Sequence, residues 1–472
     1  MKKSPNIILI SIDTLRADRL SCYGYHRQTS PHLDAVARES LVFKNAYSTA
    51  SWTPPAHASM FTGLYPSQHG VVDQNRLSEN IPTIAELLQR NGYRTAGLVN
   101  NSQVGQLTGL ERGHEYFVEV WRGIEERQFF KRALALAQYH AKRLLHLADD
   151  GAQLTTKLAV NWLKKREREA QPFYLFLHYI DVHNPMRPPR PFRFRFLNKS
   201  LRRRIDMRKI WRVADNPLIC YTDDLELSPD EIEAIKCLYD EELAYVDSQL
   251  GILFAYLRQA HLLDDTLLII TADHGEHFGE HGHFSHVASV YEPIIHIPLM
   301  IRPPGGMDHR REVEGLCQLT DIFPTIAAAA EIVEGNSSVE RHGFDLLHSP
   351  NGQLANRQII AEWEGRVPYF IQDRLKTRQQ STDLKRFTTK LTMIRQQAMK
   401  FIQPEIGTEE LYDLQNDPHE ATNLIEQRAE VADSLRAQLL AWQNHNMRPA
   451  SQSETYEMDE AVKKNLEALG YL

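Results

Sequence analysis

Residues 51–57, Ser-Trp-Thr-Pro-Pro-Ala-His, set one hydroxyl, Thr53, against a Pro-Pro corner. Proline fixes its own φ and restricts the residue before it, so the Thr53 side chain leaves the backbone in a defined direction. Two roles fit. Thr before Pro at a first helical position is a helix start signal, with the hydroxyl as cap. Alternatively the hydroxyl is a nucleophile, poor as a free alcohol at neutral pH and competent once a metal ion lowers its pKa. Asp13, Asp273 and His274 could hold that ion. Two carboxylates and an imidazole form a hard ligand set that suits Mg²⁺, Mn²⁺, Ca²⁺ or Zn²⁺. His57, four residues after Thr53, is placed to hydrogen-bond that oxygen or an anionic substrate. A helix starting at Pro54 or Pro55 would also point free N–H groups at an anion.

Such residues need elements to bring them together. NIILISI (6–12), RTAGLVN (94–100), FYLFLHYI (173–180) and TLLIIT (266–271) are short, apolar, β-rich runs. Between them lie helical patterns: IPTIAELLQRNGY, closing at Asn91-Gly92, and the periodic stretch 231–258. This alternation predicts an α/β fold with a central, mostly parallel sheet flanked by helices. Ligands in such sheets sit beyond the carboxyl ends of the strands. That rule selects Asp13, Asn100, the segment His178 to His183, and Asp273-His274.

Two stretches read as insertions, about 119–170, with an amphipathic pattern over 132–150, and about 186–230. Within the second, residues 186–212 carry eleven Lys or Arg against one Asp, with Phe and Trp interleaved. That composition suits a solvated face, a funnel for anionic substrates or a contact with lipid headgroups. From residue 346 the pattern changes to polar strands (KLTMIRQQAMKFI) and a closing helix (EVADSLRAQLLAWQNH). The expectation is a catalytic domain over 1–345 and a smaller α+β domain over 346–472.

Composition narrows the class. The 54 basic and 61 acidic side chains among 472 residues leave a net charge of −7, with no pull toward nucleic acid. The four cysteines are scattered without CxxC spacing, so neither a disulfide framework nor a cysteine zinc site is expected. The apolar run at 6–12 ends at Asp13 without a small-residue cleavage site, and no segment reaches the roughly twenty apolar residues of a membrane span. A cytoplasmic location is the expectation. Nothing in the sequence sets an oligomeric state.

Further motifs carry a resemblance: SIDTLRADRLSCYGY, TPPAHASMFTGLYPSQHG, ELLQRNGYRTAGLV, LHYIDVHNPM, TADHGEHFGEHGHFSH, YEPIIHIPLMIRPPG, LTDIFPTI and ELYDLQNDPHEATNL. In this order, over nearly the whole length, the chain resembles the sulfatase family of the alkaline phosphatase superfamily. The resemblance implies an alkaline phosphatase-like fold and one divalent cation held by Asp13, Asp273, His274 and Thr53. It also implies a substrate-contacting or proton-donating His183, with His57 catalytic. Asn100 stands where arylsulfatases carry a Lys-x-His pair, and His286 in place of a late lysine; both are expected to bind substrate oxygens. His178 is expected as a structural partner, and His277, His281 and His283 as a loop cluster outside a one-metal site. Aligned on Thr62-Gly63, Thr53 stands at the position of the Cys or Ser that sulfatases oxidise to formylglycine, and His57 stands at the following arginine. No formylglycine is expected. Relatives with threonine here resemble phosphodiesterases, phosphonate monoester hydrolases and phospho-alcohol transferases. The resemblance therefore implies a hydrolase for phosphate diester, phosphonate monoester or sulfate ester bonds acting through a Thr53 covalent intermediate. The alternatives are a transferase of a phospho-alcohol group and a non-catalytic binding protein of the same fold.

Overall fold

Asn6–Ile12 (β1) is buried at every position, as a strand covered on both faces must be, and so its sequence runs apolar without alternation. The computed structural model describes residues 4–72, 74–125, 149–223, 225–333, 340–348, 354, 356–366, 371–372, 385–446 and 455–469. Most of the amphipathic pattern expected over 132–150 lies outside them. The strands that follow β1 are β2 (Leu41–Tyr47), β3 (Arg94–Val99), β4 (Tyr116–Glu119), β5 (Phe173–Tyr179) and β6 (Thr266–Thr271). A two-stranded ribbon, β7 (His277–Phe278) and β8 (Phe284–Ser285), precedes β9 (His296–Arg302) and β10 (Arg311–Gln318).

Eight of these form one sheet in the order β10-β2-β9-β6-β1-β5-β3-β4. β1 pairs in parallel with β5 and β6, β3 with β5 and β4, and β10 with β2, while β9 runs antiparallel to both its neighbours. The fold is thus α/β with a mainly parallel central sheet, as the alternating pattern predicts. Parallel pairing puts the carboxyl ends of β1, β3, β5 and β6 on one edge, and that edge collects the chemistry.

The helix Pro229–Gln259 is the spine beside that sheet. Its start is a capping box of Ser228 and Glu231. Its buried polar residues act as tie points. Asp247 accepts from the amides of His32 and Leu33 at the start of the helix Pro31–Ala37. Glu241 accepts from the amides of Phe194, Phe196 and Leu197, which fixes the arginine-rich segment against the body. Within that segment Arg193 stacks on Trp211 and Arg202 on Phe194.

A separate antiparallel sheet forms towards the C-terminus from β11 (Gln358–Trp363), β12 (Leu391–Gln396), β13 (Met399–Pro404) and β14 (Glu410–Asp413). Its period-two pattern divides two faces. Ile360, Ile394, Phe401 and Leu411 pack on Leu435 and Leu439 of the helix Ala429–Asn446. Ile359, Ala361, Met393 and Ile402 pack on Tyr47 and Trp52 of the main body. The second face therefore backs the residue immediately before Thr53. Among the described residues no helix is long and apolar enough to cross a membrane.

Candidate active site

The turn after β1 is strained and pinned. Thr14 has φ 56, a left-handed conformation costly for a β-branched residue, by roughly 1–3 kcal/mol. Tyr239 of the long helix holds it, donating to the Thr14 carbonyl at 2.8 Å and accepting from the Arg16 amide at 2.8 Å. The Thr14 amide in turn donates to Asp273 Oδ1 at 3.2 Å, so one turn joins both carboxylates. Arg16 braces the same turn through Asp18, Glu280 and the Glu276 carbonyl.

Asp13, Asp273 and His274 are fully buried and their ligand atoms lie within 4.8 Å of one another. His274 Nδ1 faces the Gly275 carbonyl at 3.0 Å. A proton there leaves the Nε2 lone pair exposed to the site. Nε2 stands 3.3 Å from Asp273 Oδ2, 4.0 Å from Asp13 Oδ1 and 3.3 Å from Thr53 Oγ1. Asp13 Oδ1 and Asp273 Oδ2 have no hydrogen-bond partner among the described residues. Two buried acceptors left orphaned beside a lone pair and a hydroxyl are a donor set in want of a cation. The residues therefore fit the divalent ion that the sequence implies.

The electrostatics agree. Burial works to raise the Asp13 carboxyl, but His178, His183 and His274 around it hold it well below the usual carboxylate range. Burial and the Asp13 anion push Asp273 up to about 6. Burial holds His274, His57 and His286 down near 4, and lowers His183 as well. The site thus presents one firm anion, Asp13, beside the lowered imidazoles of His274, His57, His286 and His183.

Thr53 is the first residue of the helix Thr53–Thr62 and Trp52 takes the cap position. The cap role for the Thr53 hydroxyl does not hold, and neither does the expected ring of free amides. Pro54 and Pro55 have no N–H, and the Ala56 amide is spent on the Trp52 carbonyl. The hydroxyl turns to His274 instead. His57 also departs from expectation. It does not bond the Thr53 hydroxyl: Nδ1 faces the Thr53 carbonyl at 3.0 Å and Nε2 the Ser11 hydroxyl at 3.1 Å. It is fully buried, with Nδ1 3.6 Å from Asp273 Oδ2.

Asn100 donates from its amide nitrogen to the Asp150 carbonyl, on the turn that opens the helix Ala152–Lys164, and its Oδ1 has no hydrogen-bond partner among the described residues. The neighbouring Asn101 donates to Asp13 Oδ2 at 3.1 Å. His183 and His286 do converge on the site. The His286 ring lies 4.6 Å from His274 and 5.0 Å from His183, and its Nδ1 stands 3.3 Å from Glu276. His183 Nδ1 faces the Asn184 carbonyl at 2.6 Å. Asn101, Glu276 and Ser11 were not singled out in the sequence. His178 lies closer to the chemistry than its expected structural role, 3.4 Å from Asp13 Oδ2 and grouped with His57 and Asp273. His277 bonds Ser289, and His283 stacks on His277 and meets Arg386. Neither joins a metal-holding group among the described residues.

Comparison with known proteins bears on the family and the fold. The sequence model of the sulfatase family matches residues 5–332, and that of the N-sulphoglucosamine sulphohydrolase C-terminal region matches 279–445. The chain is 26% identical over 460 residues to the uncharacterized sulfatase YidJ of Escherichia coli (strain K12), covering 90% of this chain and 84% of that protein. It is 26% identical over 487 residues to arylsulfatase K of Canis lupus familiaris, covering 98% and 86%. The fold matches that of the phosphonate monoester hydrolase of Agrobacterium radiobacter with a TM-score of 0.71 at 20% identity, covering 96% of this chain and 100% of that one.

Proposed function

The chain belongs to the sulfatase family and is an ester hydrolase, and from that premise we propose that it cleaves phosphate diesters or phosphonate monoesters through a covalent Thr53 ester. One observation carries this reading. The Thr53 hydroxyl, buried and not spent as a helix cap, faces the same Nε2 as the two orphaned carboxylate oxygens. Asp13, Asp273 and His274, with Thr53, would hold a divalent cation, which supplies a lowered hydroxyl pKa and neutralises charge on the ester oxygens.

In the first displacement the bond from Thr53 Oγ1 to phosphorus forms and the bond to the leaving oxygen breaks. The Thr53 hydroxyl proton departs to solvent. His183 gives its proton to the leaving oxygen. The anionic ester, once bound, favours the imidazolium that burial otherwise disfavours. His286, whose Nδ1 stands beside Glu276, faces the same space; as the imidazolium that the bound anionic ester favours, it donates from its other ring nitrogen to a non-bridging oxygen. Water then attacks phosphorus as the bond to Thr53 Oγ1 breaks. One water proton restores the Thr53 hydroxyl, the other stays on the product acid, and His183 regains a proton from solvent. Formylglycine chemistry has no precursor here, because the position that carries cysteine or serine in the resembling enzymes carries threonine.

A second reading, sulfate ester hydrolysis at the same Thr53, is favoured by the curated relatives, which are named sulfatases. Three p-nitrophenyl esters separate the two: the sulfate, a phenylphosphonate and a phosphodiester, each offered to cation-loaded enzyme and to Thr53→Ala. Turnover of the phosphorus esters that vanishes in Thr53→Ala is the expected result. Thr53-dependent turnover of the sulfate alone selects the second reading.

A further inference from the structure

The end of the described chain returns to the catalytic edge. The helix Glu460–Ala468 starts at Asp459, whose side chain accepts from the Val462 amide at 2.7 Å. Tyr456, Val462 and Leu466 are buried against Leu107 and Trp121, which follow the ends of β3 and β4. Two polar ties run from this helix to loops that carry site residues. Asn465 Oδ1 accepts from the amide of Ser102 at 3.4 Å, next to Asn101, whose side chain holds Asp13. The Leu469 carbonyl accepts from Asn184 Nδ2 at 2.8 Å, and the Asn184 carbonyl takes the His183 ring nitrogen at 2.6 Å. Both asparagines engage backbone groups; the Asn184 tie is buried and closed to solvent, and the Asn465 tie is partly buried over the buried Ser102.

We propose that this C-terminal helix is a positioning element of the active site, holding His183 at the leaving oxygen through Leu469 and Asn184 and the Asp13 side through Asn465, Ser102 and Asn101. The inference rests on the proposed role of His183 as proton donor. Its chemical consequence is selective. A good leaving group such as p-nitrophenolate departs without a proton, whereas an alkoxide needs one. Loosening the helix must therefore slow alkyl esters more than p-nitrophenyl esters.

The test uses the full-length, cation-loaded enzyme with a graded set of phosphorus esters running from p-nitrophenyl through phenyl to alkyl. The variants are Asn184→Ala, Asn465→Ala, Asn465→Asp and Leu466→Arg, each first matched to the parent by its thermal melt. The expected result is a kcat loss of about 10- to 100-fold on alkyl esters, with little loss on p-nitrophenyl esters, for Asn184→Ala and Leu466→Arg. Asn465→Ala follows the same trend, and Asn465→Asp, which keeps the acceptor, restores the parent profile. His183→Gln serves as the reference. If it steepens the leaving-group dependence and the helix variants leave every ester equally affected, the positioning role is overturned and the His183 role stands. If His183→Gln slows all esters alike, the proton-donor reading fails and takes the helix proposal with it.

Discussion

Thr53 and His274 meet at 3.3 Å because a helix begins with a residue whose amide-poor neighbours leave its hydroxyl nothing to cap. The same residues explain what could be read beforehand. Asp13, Asp273 and His274 were legible because each follows a buried strand, and a parallel sheet leaves such ends on one edge. The contact that holds Asn100, the Asp150 carbonyl, lies fifty residues away and has no local signature. The aim of His57 depends on Ser11, forty-six residues before it, in the same way. If His57 and His178 orient the ligands, their loss weakens the cation before it touches chemistry. His178→Ala should lower divalent-cation affinity by about 10- to 100-fold, read by competition with a metallochromic chelator. An unchanged affinity would remove His178 from that role.

At the scale of elements, the helix Pro229–Gln259 reads from sequence as an amphipathic run, yet its buried polar residues are what organise the site. No periodicity distinguishes Tyr239 as the residue that holds a left-handed Thr14. Tyr239→Phe removes both hydrogen bonds at once and should lower cation affinity by about tenfold, with the far-ultraviolet spectrum unchanged. Asp247, on the same helix, gives a pH test. Burial, with Asp34 nearby, pushes its carboxyl up to about 7 against the pull of the His32 and Leu33 amides and of Arg195. Its folded pKa therefore lies above the unfolded value of roughly 3.9. The contribution of the protonated group is complete below pH 3.9 and is lost as pH rises towards 7. Asp247→Asn keeps an acceptor for the amides and cannot ionise. The difference in melting temperature between variant and parent should shift towards the variant as pH rises from 4 to 7. A difference independent of pH in that window contradicts the assignment.

For the whole molecule, the central sheet was legible in four apolar runs, while the way the C-terminal part leans on the catalytic part was not. Its inward face reads as an ordinary alternating strand pattern, and only the structure shows Trp52 beneath it. A buried lysine fastens the two parts: Lys400 Nζ meets Glu420 at 2.6 Å and Glu292 at 3.0 Å. Lys400→Met leaves the buried Glu420 carboxylate facing the partly buried Glu292 and should cost roughly 3–5 kcal/mol, seen as a lower midpoint in denaturant unfolding. A midpoint within error of the parent would mean that the two parts do not depend on this lysine. The claim that joins all three scales is that Thr53 is the nucleophile the fold delivers to the catalytic edge. It is tested most directly by acid-quenching the cation-loaded enzyme during turnover of a phosphonate monoester and sequencing the peptide that contains Thr53 by mass spectrometry. A phosphonyl group on Thr53, absent without substrate, is the expected result. An unmodified Thr53 peptide together with undiminished turnover by Thr53→Ala would contradict it.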